Sequence, residues 1–398
     1  MRDSMTLRTA LAGATEDQLL LDLAGIENRY HALTRELPGL RVRFAVKACP
    51  ADEVLAVLAA NGAGFDAASP GEIGQALRTG VGPDRIHYGN TIKSDHDIAA
   101  AYRLGIRDFA TDTVADVRAI AAHAPGSRVF CRLATSGAGA LWGLSDKFGC
   151  TTGEAVTALC AAADHGLVPA GLSLHVGSQQ TGTRAWRAAF ATLTTTIRAL
   201  DRRGIHLDHV NLGGGLPAEG YLDRRGRPRV AHTGAMLAAI TAGMRRLREI
   251  APAPLELVME PGRHLVADHG AIRAHVVRLT SRRHRDGSRR QWLFLSCGRF
   301  NGLYETDQLR YRLEFPDHGG ERLTPAVIAG PTCDSDDVLA VDHPVPSGLR
   351  SGDPVWIFST GAYSLSYATR GFNGFDALPH RALGDDLAPA GRERMPTA

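Results

Sequence analysis

Cysteine is scarce in this chain: six in 398 residues, at 49, 131, 150, 160, 297 and 333, with no Cys-x-x-Cys pair among them. That pattern argues against a structural zinc site or a disulfide framework and suits a reducing compartment. Long apolar runs are also missing. No window approaches the roughly 20 residues of a membrane span, and Met1-Arg-Asp-Ser-Met-Thr carries no apolar segment of signal-peptide form, so a cytoplasmic protein without a membrane partner is expected. Neither sign of charge dominates: 45 Lys+Arg against 42 Asp+Glu leaves +3, too even a balance to imply a nucleic-acid partner. No internal repeat is evident. Aromatic residues make up 6%, but 44% of the chain is hydrophobic, enough at this length for a full barrel and a second, smaller domain. The one arginine-rich run, Ser281 to Arg290, holds an Asp-Gly turn between apolar segments and reads as a solvated hairpin tip.

What the chain does have is a cadence. Short apolar, mostly β-branched runs occur near 41–46, 64–67, 86–89, 108–111, 129–133, 171–175, 209–213 and 255–259. The first five recur about every 22 residues, the length of one strand, one helix and two short loops, as in a parallel sheet. Helix signals lie between them. Pro50-Ala-Asp-Glu opens a segment with acids in its first turn that stops at Asn61-Gly62, and Ser69-Pro70-Gly71-Glu72 reads as a capping box with proline at the first helical position.

This α/β pattern predicts an eight-stranded (β/α)8 TIM-type barrel over 28–265, with a doubly wound open sheet as the alternative. After 266 the helical cadence gives way to Val/Leu/Trp/Tyr-rich runs broken by Gly, Pro and Asp, which predicts a C-terminal β domain over 266–378, of sandwich or barrel form. Residues 1–27 are expected to pack on that domain, and 379–398, rich in Arg, Pro and Ala, to form a tail.

In such a barrel the C-terminal strand ends share one mouth. They would carry Lys47, Asp66, Asn90, Arg132, His175, Gly213 to Gly215, and Glu260 with Arg263. A lysine for an imine, an imidazole to lie on a ring, a glycine-rich turn, and an acid followed by an arginine are together what pyridoxal phosphate requires. A partly desolvated Lys47 is expected to have a depressed pKa; a snorkelling lysine at a core edge would give the same local sequence. Gly213-Gly-Gly215 lets backbone N–H groups approach a phosphate closely but lacks dinucleotide spacing, and a flexible loop reads the same way. His175 alone could be a core histidine, and Glu260 alone a buried partner of Arg263. If Glu260 meets the pyridine nitrogen, it keeps that nitrogen protonated and the ring a strong electron sink, which favours loss of CO2 over racemisation. Downstream, Cys333 beside Asp334 could return a proton and bind a substrate ammonium, or be an inert thiol beside an acidic turn running to Asp337.

Phe44-Ala-Val-Lys47, Gly64-Phe-Asp-Ala-Ala-Ser69, Leu144-Ser-Asp-Lys-Phe-Gly149, His175-Val-Gly-Ser178, Gly213-Gly-Gly215, Glu260-Pro-Gly-Arg263, Gly330-Pro-Thr-Cys-Asp334 and Gly361-Ala-Tyr363 follow one another in the order found in the fold-type III pyridoxal-phosphate decarboxylases. The chain resembles that alanine-racemase-like family over about 25–378, and within it is most similar to the ornithine decarboxylases. The resemblance implies that Lys47 bears the cofactor and that His175 stacks on its ring, with Glu260 pairing to the pyridinium. Asp66 and Gly262 line the cofactor site; Ser178, Gly213, Gly214, Gly215, Arg263 and Tyr363 hold the phosphate, and Arg132 supports them. It further implies that Cys333 is the proton donor and Asp334 a substrate contact, both reaching the cofactor of a neighbouring subunit in a head-to-tail homodimer. No metal is implied.

The Cys-Asp pair resembles ornithine and lysine decarboxylases, whereas diaminopimelate enzymes usually show Cys-Glu-Ser there, so a substrate with a free terminal amine is expected. The segment Cys297 to Arg312 departs from the ornithine decarboxylase pattern. Asp307 is one candidate for the second substrate-binding acid. Arg310 or Arg312 would equally bind a distal carboxylate, as expected of relatives acting on larger conjugates in siderophore or other specialised pathways. An extra residue before Phe372 would reshape the pocket. Two further readings stand beside decarboxylation: racemisation, which Glu260 argues against, and an inactive regulator of antizyme-inhibitor type, which retention of Lys47, Cys333 and Asp334 argues against.

Overall fold

The computed structural model describes residues 4–143, 146–283 and 286–384. Leu144 and Ser145 of the Leu144–Gly149 motif, His284 and Arg285 of the hairpin tip, and the end of the expected tail from residue 385 lie outside the described residues.

All eight strand candidates are strands, and they close a parallel barrel in sequence order: Leu40–Ala45, Gly64–Ala67, Ile86–Tyr88, Asp108–Thr111, Arg128–Arg132, Val168–Ser173, His209–Asn211 and Glu256–Met259, the last pairing back onto the first. Their apolar runs are continuous because both faces are covered, one by the barrel interior and one by helices. Several strand-to-helix turns supply their own cap: Ser94, Thr113 and Thr151 accept the N–H three residues on, and Thr151 with Glu154 forms a reciprocal capping box. At the expected box of Ser69, the hydroxyl does accept from Glu72 N, but the Glu72 carboxylate turns to Ala68 N–H at 2.7 Å instead of Ser69 N–H. A separate two-stranded antiparallel ribbon pairs Ala140–Trp142, which follows the fifth barrel strand, with Ser178–Gln180, which follows the sixth, and brings Trp142 towards Arg263.

The second domain is an eight-stranded sheet built on the long strand Gly270–Arg283. Pro354–Phe358 pairs with its first half and Arg289–Leu295 with its second, both antiparallel. The register Arg283↔Arg289 brings the two arginine-rich strand ends together across the hairpin. Leu323–Ala329 continues the sheet in parallel, and Val338–Pro346 and Arg312–Glu314 form its borders.

Two boundaries differ from the sequence reading. Asp22 caps a helix at Leu23–Glu36 through Gly25 N–H, 3.0 Å away, so a break at 28 would cut a helix whose Leu23, Ile26, Tyr30 and Leu33 are all buried. Residues 380–383 are not tail: His380–Leu383 is a strand, parallel to Gln18–Asp22, which in turn pairs antiparallel with Gly270–Arg283. The four residues read as tail because their side chains are half or fully exposed; backbone pairing, not an apolar face, holds them. Among the described residues no helix is long and apolar enough to cross a membrane.

Leu20, in Gln18–Asp22, is fully buried with Leu7, Leu11, Ala271 and Phe358. Leu20→Ala is expected to destabilise the protein by about 2–5 kcal/mol, the usual range for emptying a closed site, as read by urea unfolding. A near-neutral effect would mean that the N-terminal strand is not an integral part of the sheet.

Candidate active site

Lys47 leaves the first barrel strand on a single 3-10 turn, Val46–Ala48, and its ammonium lies 3.0 Å from Asp66 Oδ2 on the next strand. Asp66 is 4% exposed, whereas the Lys47 side chain is 50% exposed and opens to the mouth. Asp66 is the largest influence on the lysine and raises its pKa, with Glu260 and Tyr363 acting the same way against the desolvation that opposes them. The depressed pKa expected from a strand-end lysine is therefore not what the structure shows: a carboxylate in contact outweighs partial burial. Burial pushes Asp66 up, but Lys47 and His87 override it and hold the carboxyl below its usual range.

His87 was missed by the sequence reading. It is the central residue of Ile86–Tyr88, and strand alternation turns it into the barrel while Ile86 and Tyr88 face the helices. Its Nε2 lies 3.2 Å from Asp66 Oδ1 and 2.8 Å from Glu260 Oε1, and its ring packs against Phe130. Burial and Arg43 push its pKa down, and the hydrogen bonds to Asp66 and Glu260 more than offset them, leaving it raised. Glu260 also accepts from Asn211 Nδ2 at 2.5 Å. Asn211 opens the glycine motif and could have been singled out there.

The glycine turn is shaped by close approach. Gly213 has φ +63°, and a Cβ there would stand 2.0 Å from Leu174 O; Gly215 has φ +124°, with Val176 2.6 Å from its absent side chain. A side chain on Gly214 would meet His175 Nε2 at 3.0 Å, and one on Gly262 would press on Ala48. Gly213 N–H donates to Asn211 Oδ1 and Glu260 N–H to Gly213 O, which ties the turn to the Glu260 strand end. His175 Nδ1 accepts Gly177 N–H at 2.9 Å. Burial, then Arg132 and Lys47, lower its pKa to about 4, so it is a neutral imidazole near neutral pH. Arg132 itself lies over the Phe148 ring.

Arg263 is buried beneath this turn, with its guanidinium over Trp142 and Tyr363 and its Nε donating to Ser178 Oγ at 3.3 Å. Its carboxylate partner is Glu305, met twice at 2.5 and 2.6 Å, and not Glu260. Tyr221 accepts a further N–H. Glu305 was overlooked although it lies in the departing segment; nothing local to it signals a partner on the barrel. Tyr363, at φ +65°, donates its N–H to Ala48 O and so joins the sheet domain to the lysine turn.

The remaining predicted residues lie apart from this cluster. Cys333 is exposed, and both its N–H and its thiol donate to Asn373 Oδ1, at 3.0 and 3.3 Å. Asp334 is exposed, and among the described residues its carboxylate accepts Asp336 N–H alone while its backbone carbonyl accepts Asp337 N–H. The acidic turn is not wholly solvated, because Asp337 is buried and takes Arg299 N–H and both donors of Thr332. Asp307 pairs with Arg299, Arg310 donates to Val341 O, and Arg312 binds Glu314 over the Phe358 ring. Phe372 packs on Phe300, with ring centroids 4.6 Å apart.

A parallel barrel that gathers a lysine, a carboxylate, a neutral imidazole and a glycine cradle at one mouth, followed by a sheet domain, defines a pyridoxal-phosphate enzyme. Residues 23–267 match the pyridoxal binding domain of the pyridoxal-dependent decarboxylases and residues 270–361 match their C-terminal sheet domain, and the chain belongs to that family. Its relatives include the lysine/ornithine decarboxylase of Selenomonas ruminantium, 32% identical over 364 residues, which span 91% of this chain and 88% of that protein. The diaminopimelate decarboxylase of Zymomonas mobilis is 28% identical over 345 residues, 82% of this chain and 77% of that one. The crystal structure of the Vibrio vulnificus lysine/ornithine decarboxylase complexed with putrescine aligns with a TM-score of 0.83 at 29% identity, covering 96% of this chain and 100% of that one. The chain is thus an amino acid carboxy-lyase that uses pyridoxal phosphate.

The lowered His175 pKa makes stability depend on pH. Between its folded value of about 4 and the ordinary 6.5 the unfolded chain binds more protons, so stability rises with pH across that window and is lost as pH falls through it. His264 and His343 shift in the same direction, so the comparison must be with a variant. His175→Gln is expected to narrow the difference between urea midpoints measured at about pH 5 and about pH 7; an unchanged difference would show that His175 is not held neutral by the fold.

Proposed function

We propose that this chain removes the α-carboxylate of a basic amino acid of the ornithine or lysine type as CO2 and releases the corresponding primary amine, a diamine of the kind used in polyamine formation. The observation that carries the substrate class is Asp334: its carboxylate is exposed and has no cationic partner among the described residues, as an acceptor for a terminal ammonium should be. Asp307, Arg310 and Arg312 each already have a partner, which counts against their leading role at the distal end of the substrate.

Bound pyridoxal phosphate supplies the electron sink for the bond being broken. In this reading Lys47 would bear the cofactor, His175 would stack on its ring as a neutral imidazole, and a carboxylate oxygen of Glu260 would accept a hydrogen bond from the ring nitrogen and so keep it protonated. That carboxylate supports decarboxylation over racemisation. Asp66 holds Lys47 at the mouth. Ser178, Gly213, Gly214, Gly215 and Tyr363 would form the phosphate cradle, Gly262 would line the cofactor site with Arg132 in support, and Arg263 would serve the cradle while shared with Glu305. Cys333 returns a proton to the substrate carbon, and Phe372 lines the pocket.

Among the described residues the hydrogen bonds of the Cys333 and Asp334 side chains go to Asn373 and Asp336 and none reaches the Lys47 cluster, which supports a head-to-tail homodimer in which each chain completes the other's site.

The purified, cofactor-loaded protein should release CO2 and amine from L-ornithine or L-lysine, measured by mass spectrometry beside L-arginine, meso-diaminopimelate and carboxylated diamine conjugates, and Lys47→Ala should abolish the release. Turnover of a conjugate alone would move the distal contact to Arg310 and overturn the terminal-amine reading. Mixing inactive Lys47→Ala and Cys333→Ala proteins should restore about a quarter of wild-type activity, because half the dimers then hold one intact site. No recovery after subunit exchange would refute the shared site.

A further inference from the structure

Glu260 is gripped by one oxygen only. Asn211 Nδ2 and His87 Nε2 lie 2.5 and 2.8 Å from Oε1, whereas Oε2 has no hydrogen-bond partner among the described residues. Both donors are fixed. Asn211 is buried, with its own Oδ1 accepting Gly213 N–H, and His87 is buried against Phe130 with its Nε2 also within reach of Asp66 Oδ1. The His87 side chain is 2% exposed and that of Glu260 15%, so of this pair the carboxylate is the polar edge that reaches the open site.

A glutamate left to itself has a broad, roughly two-fold preference about its last torsion, and either oxygen can face a ligand. Two donors converging on Oε1 remove that freedom when the protein folds, before any ligand arrives. We propose that His87 and Asn211 are positioning residues which saturate Oε1 and thereby present Oε2 to the ring nitrogen of pyridoxal phosphate. The proposal rests on the assignment of Glu260 to that nitrogen. It also gives His87 a second function. Lys47 to Asp66 at 3.0 Å, Asp66 to His87 at 3.2 Å and His87 to Glu260 at 2.8 Å form one continuous chain of polar contacts, the last two shared by the single N–H of His87 Nε2, so the lysine and the ring-nitrogen partner are held at a set separation by groups outside the cofactor.

The test uses the full chain reconstituted with 15N-labelled pyridoxal phosphate, reading the ring-nitrogen signal by NMR and cofactor affinity by titration. Glu260→Gln should move the signal to that of an unprotonated ring. His87→Phe, which keeps the bulk and removes the donor, and Asn211→Ala should each shift the signal in the same direction and weaken cofactor binding roughly tenfold, the size expected for one hydrogen bond to a charged group. His87→Gln, which restores an N–H near the position of Nε2, should stay close to wild type in both readings. Should His87→Phe fail to fold, Asn211→Ala and His87→Gln decide the matter. Wild-type signal and affinity in His87→Phe and Asn211→Ala, with the Glu260→Gln shift intact, would overturn the positioning role and leave Glu260 in place. An unshifted signal in Glu260→Gln would instead remove Glu260 from the ring nitrogen, and this inference with it.

Discussion

Closure of the barrel between Glu256–Met259 and Leu40–Ala45 is the constraint on which the site depends. A parallel pair needs a long connection between its members, and this one joins the last barrel strand to the first, so it forms only when the intervening strands are in register. Once it forms, Glu260 and Lys47 leave neighbouring strand ends and Asp66 follows on the next. All parallel strands of a closed barrel end on the same face, so topology, and no single local segment, gathers these groups.

Charge at that face is balanced in small, mutually dependent sets. Asp66 holds the Lys47 ammonium in its charged form more firmly, Lys47 and His87 in turn hold the Asp66 carboxyl below its usual range, and His87 carries the link to Glu260. Arg263 and Glu305 form a second set, buried and doubly hydrogen-bonded. Removing one partner of the buried Arg263–Glu305 pair would leave an uncompensated charge at a cost of several kcal/mol, so these two are exchangeable only together. The glycine turn lies between the two sets and is fastened to both, through Asn211 and Glu260 on one side and the Ser178 region on the other.

The sheet domain contributes in two directions. Inward, Tyr363 reaches Ala48 O and Glu305 reaches Arg263, so the lysine turn and the buried arginine are braced by residues outside the barrel. Outward, the loop that carries Cys333 and Asp334 is pinned from below by Asp337, which collects N–H groups from Arg299 and Thr332, while its chemical groups stay exposed.

The eight strands were legible because burial on both faces forces short, continuous apolar runs, and the turns were legible because capping residues act within three or four positions. Lys47, His175, the three glycines and Glu260 were legible as strand-end polar residues in a barrel. His87 was not, since it lies within an apolar strand and only the direction of its side chain gives it a role. Glu305 and Asp337 were not, since their partners come from other elements. His380–Leu383 was missed because it is held by backbone hydrogen bonds that leave no apolar pattern. The sequence by itself determined which segments are strands, where the helices start and which residues stand at the strand ends. Only the tertiary structure decided the charge on Lys47, the partner of Arg263 and the freedom of one Glu260 oxygen, because each depends on which groups come within about 3 Å of one another, a distance set by folding and not by spacing along the chain.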